Sequence, residues 1–404
     1  MHRRDLLRAA AAFTPMVIAG RAFATPAAGS GKLLLVFLRG AYDAANIVAP
    51  IGSDFYHQAR PTIGLAKPDP ANPDAALPLD GDWGLHPALK DSIYPLWQTK
   101  QLAFVPFAGT DDMSRSHFET QDTIELGQPI VGTRDYRSGF MARLASALGS
   151  DQPIAFSDRV PLCFQGDTGL AIPNIALTGN LKPTIDPHEA KLIEAMYRAG
   201  AATDAGLSRS VTEGFATRET VFRSLADEMT QASRGAVTPK GFELSARRIG
   251  RLMRDQYDLA FVDVGGWDTH VNQGAAQGYL AGRIGELGRG LAGFVEEVGP
   301  DAWRDTTVVV VSEFGRTFRE NGDKGTDHGH GSVYWVMGGG VRGGRLVGPQ
   351  VRITADTLNQ QRDLPVLTDY RGLIGGLVQK QFALGPNRLA AVFPGAQPIA
   401  FDLV

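Results

Sequence analysis

The sequence predicts an α/β protein with a mostly parallel central sheet and helices on both faces. Three observations lead there. Short runs are mostly apolar instead of alternating, as in strands buried on both faces. Amphipathic stretches lie between those runs, which is the order of βαβ units. Polar, chemistry-bearing loops follow the runs, where open α/β sheets bind their ligands.

The apolar runs come in order. Lys32–Leu38 ends in Arg39-Gly40, and Leu102–Gly109 has the same shape. Leu259–Gly266 and Thr306–Val311 follow, the latter running into Ser312-Glu313, and Val333–Met337 ends in three glycines. Helical patterns are expected at His86–Gln98, Ser116–Leu126, Ser138–Leu148, most of Pro187–Arg234, Leu244–Tyr257, Tyr279–Val298 and Asp369–Phe382. Lys67–Asp82, with several Pro and Asp, reads as a long surface loop.

Composition narrows the function classes. The 404 residues carry 40 Lys+Arg against 43 Asp+Glu, a net charge of −3, with 43% hydrophobic residues. That apolar content excludes disorder as the dominant state, and the near-neutral balance excludes nucleic-acid binding by bulk charge. Cys163 is the single cysteine, so no intrachain disulfide and no thiolate cluster can form. Its PLCFQG setting reads as core.

Residues 1–24 read as an export leader outside the fold. Arg3-Arg4 precedes Asp5-Leu6-Leu7, then an apolar stretch and Ala22-Phe23-Ala24 as a cleavage site, a pattern resembling a twin-arginine signal. The expected partner during export is the twin-arginine translocase, and the expected location is periplasmic or extracellular. No stretch is long and apolar enough to make a convincing membrane span. Residues 31–404 are expected to form a single domain.

The loops carry the chemistry. Arg39 to Asn46 follows the first run, and Thr110 to Phe118 the second. Gly265 to His270 follows the third, and Ser312 to Thr317 the fourth. Gly325 to Gly331 precedes the fifth. Imidazole with carboxylate suits Zn, Mn or Fe over Ca. Asp268-x-His270 and Asp327-His328-x-His330 can each contribute to one ion, while Asp43 and Glu313 add the charge a second ion would need. Ser116 opens a helix with Glu119 three residues on, a capping box. The same position suits a nucleophile, since a helix N-terminus favours an anion. Arg39, Arg115 and Arg316 offer guanidinium groups for phosphate or sulfate.

These stretches together (LLLVFLRGAYDAANIVAP, SRSHFETQD, GGWDTH, VVVVSEFGRT and GTDHGHGSVYWVMGGGV) resemble the domain-of-unknown-function 1501 family, over about Gly31 to Phe393. That family is grouped with the alkaline-phosphatase-like metalloenzymes, which include sulfatases and phosphomutases. The resemblance implies an alkaline-phosphatase-like fold and a shared site plan. In that plan Asp43 matches the Asp after the first strand. Ser116 matches the nucleophile, with Ser114 as its rival. Asp268 and His270 match a metal-binding pair, and His328 a final ligand, with His330 the alternative. The chain departs from the plan at Glu313-Phe314, where phosphatases have an adjacent Asp-His, and in its shorter spacing around Asp268.

The expected site therefore has Ser116 and Arg316 as catalytic residues. Asp43, Asp268, His270, Glu313, His328 and His330 are the expected metal ligands, and Arg39, Arg115 and His117 the expected substrate-binding residues. The cofactor is one or two divalent ions, zinc first, with Mn, Fe or Mg as alternatives. The expected substrate is a small-molecule or polymer-borne phosphate or sulfate ester. A non-hydrolytic periplasmic binding or assembly protein that keeps the same fold is the competing expectation.

Overall fold

The computed structural model describes residues 31–150, 153–157, 160–166 and 240–404. The expected leader, and the helical stretch expected at 187–234, lie outside the described residues.

An eight-stranded sheet organises the chain, in the order β10-β5-β9-β8-β1-β7-β6, with β11 also paired to β5. Its strands are β1 (Lys32–Leu38), β5 (Leu102–Gly109), β6 (Ile154–Phe156), β7 (Leu259–Val264), β8 (Thr306–Ser312), β9 (Ser332–Met337), β10 (Arg345–Leu346) and β11 (Thr368–Asp369). A separate three-stranded antiparallel sheet joins β2 (Val48–Ala49), β3 (Leu77–Pro78) and β4 (Gly84–Leu85). In the large sheet β9 alone runs against the rest, antiparallel to both β5 and β8. The other pairings are parallel. All five apolar runs of the sequence are strands of this sheet. The two-residue strands β10 and β11 sit beside β5 and are too short to leave a run in the sequence.

The runs lack alternation because both faces of the sheet are buried. Leu34, Val36, Leu38, Val308 and Val310 pack on one face with helices α6 (Phe242–Asp255) and α7 (Tyr279–Arg304). Leu33, Leu35, Phe37, Val309 and Val311 pack on the other with α5 (Phe140–Leu148), α8 (Tyr370–Gln381) and α9 (Pro386–Val392). Successive side chains point to opposite faces, so each strand feeds two cores.

Earlier in the chain lie α1 (Ala44–Ile47), α2 (Asp54–Ala59), α3 (Tyr94–Gln98) and α4 (His117–Leu126). The helix expected over His86–Gln98 is not continuous. A 3₁₀ turn at Pro87–Leu89 is followed by α3, whose first turn contains Pro95. Proline has no N–H to give to the preceding turn, so the segment divides there. Within α7, Gly299 at φ +75, ψ 161 breaks the helix one residue past the expected end at Val298. No helix among the described residues is long and apolar enough to cross a membrane.

This topology gathers the polar loops. The carboxyl ends of β1, β5, β7 and β8 share one edge of the sheet. The loop after β8 returns to that same edge, because β9 runs backwards from it. Arg39–Asp43, Thr110–His117, Gly265–His270, Glu313–Arg316 and Asp327–Gly331 therefore all meet at one place.

Candidate metal centre

Three histidines and one aspartate converge at that edge. One ligand atom from each of His117, Asp268 and His328 can be chosen so that all three lie within 4.8 Å of one another. His117 Nε2 lies 3.0 Å from His328 Nε2 and 3.5 Å from Asp268 Oδ2. His328 Nε2 lies 3.5 Å from Asp268 Oδ1. His270 Nε2 joins them, 3.2 Å from His328 Nε2 and 2.8 Å from Asp268 Oδ1.

Each imidazole is held by its other nitrogen. His117 Nδ1 lies 2.8 Å from Glu313 Oε1, His328 Nδ1 3.0 Å from the Arg115 carbonyl, and His270 Nδ1 3.4 Å from Asp327 Oδ1. A proton on Nδ1 is thereby placed against an acceptor, and the Nε2 lone pair is turned inward, as metal-binding histidines are held. Lone pairs and a carboxylate this close repel unless a proton or a cation lies between them. Tetrahedral ligands about 2.05 Å from zinc stand about 3.3 Å apart, and the five spacings above run from 2.8 to 3.5 Å. Asp268 Oδ2 is buried and has no hydrogen-bond partner. The donor set and that orphaned oxygen both fit a divalent transition-metal ion.

The local chain explains the placement. His117 is the first residue of α4, and Ser116 is its N-cap, its Oγ accepting from the Glu119 N–H at 3.5 Å. Arg115 adopts φ +53, an uncommon conformation for a residue with a side chain. Its guanidinium is anchored to Asp363 at 2.6 Å and to Gln360 at 2.7 Å, while its carbonyl meets His328. Gly40, at φ +111, lets β1's loop approach the loop of Asp268. A Cβ there would come within 2.9 Å of the Asp268 backbone nitrogen.

Electrostatics reinforce the arrangement. Burial alone would lower the His117 pKa, but Asp268 and Glu313 outweigh it and push it up to about 9. Burial raises the Glu313 carboxyl, yet His117 and Gln121 bring it down to about 2. Asp268 is likewise opposed by burial, but Arg316 and the three imidazoles hold it well below the usual carboxylate range. In the metal-free protein His117 is thus a cation standing among acceptors.

The remaining expected site residues have other partners. Both oxygens of Asp43 are taken by Arg60, at 2.6 and 2.9 Å, and Gln273 adds a contact at 2.7 Å. Asp43 is therefore not among the converging ligands. Glu313 Oε1 accepts from the Gly40 N–H, His117 and Gln121, and its Oε2 accepts from Ser312 Oγ, so Glu313 orients His117. His330 is buried outside the cluster, its pKa lowered by burial and then by Arg115. His117, expected as a substrate contact, stands with the metal-ligand candidates instead. Arg39 is bound to Asp263 at 2.6 Å, Glu125 at 2.8 Å and Gln121 at 3.0 Å. Arg316 pairs with Asp268 and with the Thr326 carbonyl. Arg60, Gln121, Gln273 and Asp363 were missed from sequence. Each belongs to no motif that sequence alone marks out, and only the tertiary fold shows what it touches.

By structure the chain is similar to a Vibrio parahaemolyticus protein described as belonging to the alkaline phosphatase superfamily. The two share 11% sequence identity and a TM-score of 0.36, over 77% of this chain and 60% of that one. This chain thus matches less than two thirds of that protein's length. No curated protein sequence matches it. The profile of the family described as a protein of unknown function, DUF1501, matches residues 30–393, and the chain belongs to that family.

Proposed function

We propose that this is an exported, metal-dependent hydrolase of phosphate or sulfate esters that holds one divalent ion. The observation that carries the reading is the convergence of the His117, His270 and His328 Nε2 atoms on the Asp268 carboxylate, with each Nδ1 held from behind. Nitrogen and oxygen donors of this kind suit zinc, with manganese or iron as alternatives. Such an ion supplies Lewis-acid polarisation of an ester oxygen. One ion is favoured over two, because Asp43 and Glu313 are already committed to protein partners.

Ser116, next to His117, presents the candidate nucleophile at the start of α4. Its oxygen would take the phosphoryl or sulfuryl group while its proton leaves with the alcohol, and water would then free the serine. Glu313 holds His117 in register, and Arg316 holds Asp268. Export would follow from Arg3-Arg4 through the twin-arginine translocase, delivering the folded protein to the periplasm.

A second reading, a non-hydrolytic binding or assembly protein, draws on a specific observation. Ser116 caps a helix, and Arg39, Arg115 and Arg316 are each paired with a carboxylate. The experiment that separates the two is metal analysis of the purified mature protein together with aryl phosphate, phosphodiester and aryl sulfate substrates. The hydrolase reading expects about one ion per chain and turnover abolished by chelation and by His328→Ala. A chain that takes up metal yet turns over none of these substrates supports the binding reading. A chain that takes up no metal after reconstitution overturns the metal centre itself.

A further inference from the structure

Four arginines at this edge of the sheet are neutralised. Arg39 faces Asp263 and Glu125, Arg60 faces Asp43, Arg115 faces Asp363, and Arg316 faces Asp268. Arg283, in the second turn of α7, has no carboxylate partner among the described residues, and its Nε is buried without a hydrogen-bond partner. Its guanidinium carbon lies 4.3 Å from the centre of the Tyr279 ring, one helical turn earlier. Beside it lies Gly266, at φ +85, where a Cβ would come within 2.5 Å of Arg283 Nη1. Gly266 belongs to the same loop as Asp268, two residues before it. Burial raises the Tyr279 pKa, the charge and hydrogen bond of Arg283 oppose it, and the Asp268 charge adds to the rise.

The side chain is thus placed from two sides, by an aromatic ring and by a glycine that leaves room for it. The Tyr279 hydroxyl takes part of this guanidinium's hydrogen bonding, and the remaining donors of the fork are left for an external acceptor. Tetrahedral oxyanions match that fork bidentately. We infer that Arg283 is the anion-binding residue of this site, receiving the non-bridging oxygens of a phosphate or sulfate group held against the Asp268 loop. The inference rests on the hydrolase reading for its substrate class, but not for its test.

Calorimetric titration of inorganic phosphate, and separately of sulfate, into the full-length chain is the test. It is run on metal-free and zinc-loaded protein, with zinc content measured in each case. Arg283→Met keeps an unbranched stem over Tyr279 and removes the fork, while Arg283→Lys keeps the charge without the fork. Phosphate or sulfate affinity is expected to fall at least tenfold in Arg283→Met, and by less in Arg283→Lys, with zinc content and thermal midpoint unchanged. The stronger of the two anions in the parent identifies the ester class. Equal anion affinity in the parent and Arg283→Met overturns the inference, as does a parent that binds zinc but neither anion. A parent that binds no zinc sinks the hydrolase reading, and the metal-free titration then still decides on Arg283.

Discussion

Replacing Glu313 by Gln isolates the charge behind His117 from the shape of the site. Glu313 Oε1 accepts from the Gly40 N–H at 2.8 Å, His117 Nδ1 at 2.8 Å and Gln121 Nε2 at 2.9 Å. A glutamine carbonyl can accept the same three contacts. Its amide would fall beside Ser312 Oγ, which now donates to Glu313 Oε2 at 2.9 Å and also contacts the Leu38 carbonyl at 2.6 Å. The hydroxyl can turn fully to Leu38 and accept from the new amide, so hydrogen bonding is retained. What is lost is a full negative charge 2.8 Å from an imidazole that is a candidate metal ligand. Loss of an outer partner of this kind typically weakens metal affinity 10–100-fold, about 1.4–2.7 kcal/mol. Competition of zinc against a chromogenic chelator at fixed pH measures this directly. Unchanged affinity in a folded Glu313→Gln protein would refute the claim that Glu313 tunes the centre through His117.

Other perturbations test other parts of the account. Arg39→Ala leaves the buried carboxylates of Asp263 and Glu125 without their cation, and should cost about 3–5 kcal/mol in urea unfolding. Loss of under about 1 kcal/mol would show that the network is not structural. Because the folded-state pKa of His117 is raised to about 9, its contribution to the stability of metal-free protein is fully present below about pH 6.5. It is lost as pH rises through about 9, a fall of about 3 kcal/mol measurable by unfolding at pH 6.5 and pH 9.5 in EDTA. A flat profile in the parent, or a fall that persists in His117→Gln, would contradict that assignment. Ser116→Ala should retain bound zinc and abolish ester hydrolysis; hydrolysis at the parental rate would reduce Ser116 to a helix cap and pass the attack to another oxygen, Ser114 included. Lys-Lys in place of Arg3-Arg4 should leave precursor in the cytoplasm on fractionation, and normal export would point to the general secretory route.

The fold was legible where burial is complete. Leu33–Leu38 and Val308–Val311 are apolar throughout because both their faces are covered, and that pattern is visible without coordinates. The meeting of the loops was legible for the same reason, since strand ends fix loop starts. The reversed direction of β9 was not, because an apolar run reads the same in either direction. Which carboxylate serves which role was also hidden. Asp43 and Asp268 both follow strands, but Arg60, distant from the β7 and β8 loops in sequence, binds both oxygens of Asp43. His117 was seen beside a candidate nucleophile and assigned to substrate, whereas the first turn of α4 directs its ring toward Glu313 and His328. Arg39 looked like a phosphate ligand because an arginine in a site loop is all that sequence shows. The two carboxylates that neutralise it come from α4 and β7.

The central claim is that His117, Asp268, His270 and His328 hold one metal ion. A crystal structure of zinc-soaked protein, with anomalous data collected on both sides of the zinc edge, tests it most directly. The account predicts a single strong anomalous peak about 2.0–2.2 Å from the Nε2 atoms of His117, His270 and His328 and from an Asp268 oxygen, with none at Asp43. A peak coordinated by Asp43, or no peak among these four side chains at full zinc loading, would contradict it.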